Sequence, residues 1–197
     1  MFVQLIEGHV SDADALRRQY EEWVRELSAD ADGWQGLTGG VADDGHAFMA
    51  ARFASEEQAR ANSDRPAQGA WWAETEACYD GKVTFTDCTD VEVLQGDGGS
   101  DDAGFVQVIK GRMADPAAAR AEMDAAMEAE GWRPDVVGAW LAEHGDGSYT
   151  QVVYFTSEEE ARAGEAANGD EFAERMMALH DGAPTFLDLR DPWLHSA

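Results

Sequence analysis

The sequence predicts an α+β fold made of two ferredoxin-like βαββαβ repeats, and three observations predict it. The chain is written twice. Phe2-Val3-Gln4-Leu5-Ile6-Glu7-Gly8 returns as Phe105-Val106-Gln107-Val108-Ile109-Lys110-Gly111, Ser55-Glu56-Glu57-Gln58-Ala59-Arg60-Ala61 as Ser157-Glu158-Glu159-Glu160-Ala161-Arg162-Ala163, and Thr84-Phe85-Thr86-Asp87 as Thr185-Phe186-Leu187-Asp188. A period this long is a domain, not a solenoid unit. Within each copy, period-two apolar runs and helical stripes follow the order strand–helix–strand–strand–helix–strand. Between the copies lies a stretch rich in Gly and Asp. The expected organisation is a first domain over residues 1–95, a flexible linker over 96–103 and a second domain over 104–197.

Each element has its own signal. Residues 2–10 alternate around Gln4 with apolar residues on both sides, the pattern of a strand buried on both faces. Asp12 caps a helix whose stripe is Leu16, Tyr20, Trp23, Val24 and Leu27. In the second copy Asp115-Pro116 opens the matching helix, with Ala119, Met123 and Met127 as its stripe. Trp34–Val41 and Val136–Glu143 read as second strands. Turns at Asp43-Asp44-Gly45 and Asp146-Gly147 lead to third strands, Ala47–Phe53 and Tyr149–Phe155. Ser55 with Gln58, and Ser157 with Glu160, are capping boxes that start the second helices. Arg65-Pro66 and Gly69 are expected to break one of these, Gly164 and Gly169 the other. Helix then resumes through Trp71 to Tyr79 and Phe172 to His180, stopped by Asp80-Gly81 and Asp181-Gly182. Val83–Leu94 and Thr185–Leu189 are the fourth strands.

Composition narrows the function. The 197 residues carry a net charge of -26, spread evenly over both copies. A basic face for phosphate backbones is lacking, so nucleic acid is not an expected partner. Anionic membrane surfaces are disfavoured for the same reason. No basic n-region precedes the first strand and no run approaches the length of a membrane span, so a cytoplasmic location is expected. Cys78 and Cys88 stand alone and make neither a disulfide framework nor a zinc site. The five histidines are scattered, and HExxH, P-loop, GxGxxG and GxSxG motifs are missing. No metal and no cofactor are expected.

A four-stranded sheet with helices on one face leaves the other bare. Phe2 and Ile6 lie on one side of the first strand, Val3 and Leu5 on the other, so both sides are apolar. Covering such a face is worth on the order of 10 kcal/mol at about 25 cal/mol per Å², before entropic costs. The two repeats are therefore expected to pack sheet to sheet.

The opening Phe-Val-Gln-x-Ile strand, the Ser-Glu-Glu-x-Ala-Arg helix starts and the order of elements resemble the dimeric α+β barrel superfamily, and within it the antibiotic-biosynthesis-monooxygenase-like domains. The resemblance spans nearly the whole chain. It implies an intramolecular, pseudo-dimeric α+β barrel, a monomer open to further self-association, with a pocket between sheet and helices in each copy. Relatives oxidise polycyclic phenols with O₂ and no cofactor, open haem, or have no known activity. The haem-opening set asks for an asparagine on the first strand with a tryptophan and a histidine on the second helix. Neither copy holds it, because Gln4 and Gln107 replace the asparagine, Tyr79 stands opposite His180, and Phe172 replaces a tryptophan.

Cofactor-free oxygenation needs a site that binds an electron-rich phenol or enol, stabilises its anion and excludes water. The resemblance suggests asparagine, tryptophan, tyrosine and arginine for this, and copy one has Arg52, Asn62, Trp71, Trp72 and Tyr79. Asn62, Trp72 and Arg52 are the candidate catalytic residues. Gln4, Trp71, Tyr79, Gln107, Tyr154 and His180 are the candidate ligand-binding residues. Core packing is an alternative role for both tryptophans, and a helix-end role for His180. The matched Gln4 and Gln107 can also be structural, tying the two sheets together. Two functions stay open: oxidation of a small aromatic or polyketide-like compound in an enclosed cavity of copy one, or a non-catalytic ligand-binding or accessory barrel filled by its own side chains.

Overall fold

The computed structural model describes residues 1–167 and 170–197. It is an α+β structure with two five-stranded sheets, and its chain contacts divide into unit 1, Met1–Val91 with Leu189–Ala197, and unit 2, Glu92–Asp188. Each unit has the ferredoxin-like order of elements.

In unit 1, β1 (Phe2–His9) leads to α1 (Ala13–Glu26), whose N-cap Asp12 accepts from the Ala15 amide at 2.8 Å. A 3₁₀ turn at Ser28–Asp30 connects to β2 (Trp34–Val41) and β3 (His46–Phe53). The Gly45 φ of 84° makes the turn between these strands a glycine position. Ser55 Oγ accepts from the Gln58 amide at 3.2 Å and starts α2 (Glu56–Ser63). Ser55 also donates its hydroxyl proton to Gln58 Oε1 at 3.1 Å, so the capping-box glutamine closes on the serine side chain. The helix breaks at Asp64-Arg65, and Pro66 opens α3 (Pro66–Glu76). Gly69 lies inside α3 and breaks nothing. The chain then unwinds short of Asp80-Gly81, and Tyr79 bridges to Val10.

Unit 2 repeats this with β6 (Phe105–Arg112), α4 (Pro116–Glu130), β7 (Val136–Glu143), β8 (Ser148–Phe155), α5 (Glu158–Ala167), α6 (Asp170–Ala178) and β9 (Thr185–Leu189). Asp115 caps α4 through the Ala118 amide at 3.0 Å, and His180 bridges to Met113 as Tyr79 does to Val10. Gly164 falls within α5, and the space its missing Cβ leaves is taken by the Arg133 guanidinium. It is a packing contact, not a break. Gly169 lies outside the described residues.

The tails differ most from the sequence expectation. The stretch read as one strand over 83–94 divides at Thr89 into β4 (Thr84–Cys88) and β5 (Asp90–Gln95). β4 forms one edge of the first sheet, ordered β10-β2-β3-β1-β4, while β5 forms an edge of the second, ordered β5-β7-β8-β6-β9. The further strand β10 (Trp193–Ser196) follows β9 and pairs antiparallel with β2. Without these strands β2 and β7 would be bare edges, with unpaired backbone groups. The compact units therefore exchange tails relative to the division at 95 and 104.

Unit 1 is filled by large rings. Phe2, Ile6, Leu16, Tyr20, Trp23, Leu37, Met49, Phe53, Trp71, Tyr79 and Trp193 form one buried cluster between helices and sheet. The unit 2 cluster is smaller in residue size, built from Phe105, Val136, Ala139, Val153, Phe155 and Ala161. As the alternation implies, β1 is buried on both faces, through Phe2 and Ile6 on one and Val3 and Leu5 on the other.

Candidate functional site

Strand periodicity sorts the candidate residues into two groups. Phe2, Gln4 and Ile6 share the β1 face that looks toward the helices, because Phe2 and Ile6 join the cluster with Leu16 and Trp71. Val3 lies on the other face, and the register places it in one row with Cys88, Arg52, Gly36 and Ser196. Arg52 is thus separated from Asn62, Trp71 and Trp72 by the sheet itself. The expected triad of Arg52, Asn62 and Trp72 does not converge.

Asn62 is buried and occupied. Its Oδ1 accepts from Arg65 Nη1 at 2.8 Å, and both Arg65 terminal nitrogens donate to the Leu27 carbonyl at 3.3 Å. The amide thus positions a cap for the last turn of α1. Trp71 is 9% exposed and donates its indole N–H to the Gln19 carbonyl at 2.8 Å. Trp23 donates to Gln68 Oε1 at 2.6 Å. These groups fill the space between helices and sheet where an enclosed cavity was expected. A cavity of about 470 Å³ opens along α2, lined by Glu56, Glu57, Arg60, Ala61 and Asp64.

Groups accessible to a ligand gather where β4 runs beside β1. Gln4 and Asp87 are register partners, and Gln4 Nε2 donates to Asp87 Oδ1 at 2.9 Å. Two residues along each strand, Ile6 faces Phe85, which is 48% exposed. Phe85 meets the half-buried Trp72 edge to face, with ring centroids 5.0 Å apart. Trp72 leans in turn on Tyr79 at 6.3 Å and on Trp71 at 6.0 Å. Behind them Tyr20 and Tyr79 share a hydroxyl contact of 3.4 Å. Burial raises the Tyr79 phenol to about 12 and lifts Tyr20 well above its ordinary value, helped by the charge of Tyr79. Both are neutral hydroxyls at physiological pH.

Unit 2 builds the same corner and closes it. Gln107 Nε2 donates to Asp188 Oδ1 at 3.1 Å and to Glu165 Oε1 at 3.3 Å. Arg162 pairs with both Asp188 and Glu165 and lies over the Phe105 ring at 5.2 Å. Gln107 is 4% exposed. The matching arginine of unit 1, Arg60, pairs with Glu56 at 2.6 Å instead. Gln4 and Gln107 therefore each tie the first strand of a sheet to its last, where the sequence had suggested a tie between sheets.

The remaining candidates lie elsewhere in unit 2. Tyr154 is fully buried on the face away from the helices and accepts from Trp140 Nε1 at 3.2 Å. His180 holds the Met176 carbonyl with Nδ1 at 2.8 Å, which fixes the proton there and leaves Nε2 to accept from Tyr149 at 2.9 Å. Burial raises the Tyr149 phenol to about 12. Sequence reasoning does not single out Asp87 and Phe85, because the repeated Thr-Phe-Thr-Asp block marks the duplication without naming a chemistry. Paired with Gln4 and Gln107, that block was the available signal.

No family model and no curated protein matches the sequence. Solved structures do. The chain is similar over 99% of its length to a proposed monooxygenase of Fusobacterium nucleatum, with a TM-score of 0.79, 10% identity and 94% of that chain covered. A proposed monooxygenase of Lactobacillus acidophilus follows, with a TM-score of 0.69, 12% identity and 99% of each chain covered. A structure of an anthrone oxidase-like protein gives 0.61 and 10% identity, over 100% of this chain and 93% of that one. At such identities the likeness establishes a monooxygenase-like α+β fold, and a fold alone names no reaction. Among the described residues no cluster of His, Cys, Asp and Glu is suited to a metal ion, and no helix is long and apolar enough to cross a membrane.

Proposed function

We propose that the protein binds a small, flat aromatic compound at the Gln4–Asp87 corner of unit 1 and oxidises it with O₂, drawing on no bound cofactor. The observation that carries this reading is the contrast between two copies of one corner: Asp87 is exposed, takes a hydrogen bond from Gln4 and feels the Arg60 charge without an ion pair among the described residues, while Asp188 is held directly by Gln107 and Arg162. Phe85 and Trp72 present ring surface for a further ring to stack on. The Gln4 amide has a second N–H beyond the one given to Asp87, available to an oxyanion. The Asp87 carboxylate can accept a proton.

For an anthrone-type substrate the steps balance. The activated CH₂ loses a proton to Asp87, and the enolate transfers one electron to O₂. Superoxide and the substrate radical join through a new C–O bond, and protonation gives a hydroperoxide. Loss of water breaks the O–O bond and leaves the ketone, so one O₂ is consumed per water released. The fold likeness to proteins described as monooxygenases and anthrone oxidase-like supports this class of chemistry.

Oxygen uptake with an anthrone tests it. Asp87→Asn should lower kcat by roughly 10²-fold with little change in KM. Trp72→Ala should raise KM. Uptake unchanged by Asp87→Asn removes the carboxylate from the mechanism. A melting shift with aromatic ligands in the absence of any uptake overturns the oxidation and keeps only a binding barrel.

A further inference from the structure

We propose that Arg52 is the anchor of a small-anion site on the face of the first sheet turned away from its helices, taking a carboxylate or a halide. The inference is independent of the Gln4–Asp87 corner, since the sheet separates the two. Arg52 is 3% exposed, and its Nε is buried with no hydrogen-bond partner. Among the described residues its guanidinium enters no hydrogen bond or ion pair. This stands out in a chain with 40 acidic residues against 14 Lys and Arg. Arginine cannot shed its proton to escape burial, and an isolated buried ion is strongly disfavoured without a counter-charge.

The backbone is shaped around this side chain. The β2 register shifts between Trp34 and Gly36, and Gly36 takes a φ of 139°, a region L side chains rarely adopt. A Cβ on Gly36 would run into Arg52 Nη2. The glycine thus gives the guanidinium its path across β2, along the row that ends at Ser196 on β10. Unit 2 offers an internal control. There Tyr154 occupies the Arg52 position beside Gly138, is fully buried, and is neutral and hydrogen-bonded to Trp140. The repeat satisfies its slot without charge in one unit and keeps a bare cation in the other. A guanidinium fork with unused N–H donors matches a carboxylate in two-point geometry, and a side chain only 3% exposed favours a small guest such as formate or a halide.

Thermal melting of the full chain at fixed ionic strength decides it, comparing sodium formate and sodium bromide with sodium gluconate, whose anion is too large to enter. The wild type should melt roughly 2–4 °C higher in formate or bromide than in gluconate. Arg52→Met and Arg52→Tyr, the latter copying unit 2, should lose that difference. The same ranking of anions in both variants as in the wild type overturns the proposal. Should the variants fail to fold, bromide-soaked crystals of the wild type decide instead: an anomalous peak at the Arg52 guanidinium upholds it, and bromide found only elsewhere overturns it.

Discussion

The Tyr79 ring lies so close to the Gly8 backbone that a Cβ on Gly8 would stand 2.8 Å from Tyr79 Cδ1. The second repeat reaches the same contact by another route. There Tyr149 comes from β8 and covers Gly111, where an added Cβ would meet its Cε1 at 2.9 Å. Tyr79 has His180 as its counterpart and Tyr149 has Ala47, so the large ring has moved from one element to another while the glycine stayed. Gly8→Ala should therefore cost about 1–3 kcal/mol through overpacking. Gly69→Ala, with open space around it inside α3, should stabilise by about 0.5–1 kcal/mol. Urea unfolding of the two variants measures both signs.

Trp193 fastens β10 to unit 1. It is 5% exposed, packs with Tyr20 at 6.4 Å between centroids, and sits opposite Gly39 of β2. Trp193→Ala should lose about 3–5 kcal/mol, as for other buried tryptophans. Equal unfolding midpoints for variant and wild type would show that the last strand contributes little.

Alkaline pH should loosen unit 1. Tyr79 is raised by burial from 10.0 to about 12, and burial also lifts Tyr20 well above its ordinary value. The folded state keeps these protons where the unfolded chain has released them. Their contribution is complete below about pH 10 and falls as pH rises toward 12, at about 1.4 kcal/mol per pH unit for each group. Tyr79→Phe should flatten that fall. Melting temperatures between pH 9 and 12 check it, with phenolate absorbance as the second readout.

Arg162 is the latch on the unit 2 corner. Arg162→Met removes its pairs with Glu158, Glu165 and Asp188 and should cost less than about 1 kcal/mol, since these pairs are partly solvated. It should also remove the cation from Asp188, leaving the Gln107 hydrogen bond, and raise the number of aromatic ligands bound per chain from one to two in calorimetry. A stoichiometry still of one would place the difference between corners somewhere other than this arginine.

Much of this was legible in the residues. The period-two runs of β1, β2 and β3, the Asp12, Ser55, Asp115 and Ser157 caps and the Pro66 helix start are local signals, and local hydrogen bonds realise them. The division at Thr89 was not legible, because no turn residue interrupts Val83–Leu94 and each half finds its partner on a different sheet. β10 was too short to declare itself after Asp191-Pro192. The Arg52 placement failed for a different reason. Alternation shows that neighbouring strand residues point to opposite sides but does not say which side receives the helices. Tryptophan-rich helices suggested a pocket lining, yet the indoles of Trp23 and Trp71 are spent on Gln68 and Gln19 inside the packing.

The strand that follows β9 is bound to β2, some 150 residues upstream in the chain. A protease nick in the glycine-rich stretch after Gln95 would therefore not release two separable pieces. The cut chain should elute from a sizing column as one species and come apart only in denaturant. Nor can either repeat be transplanted by itself, for each would arrive with a guest strand and an empty seat.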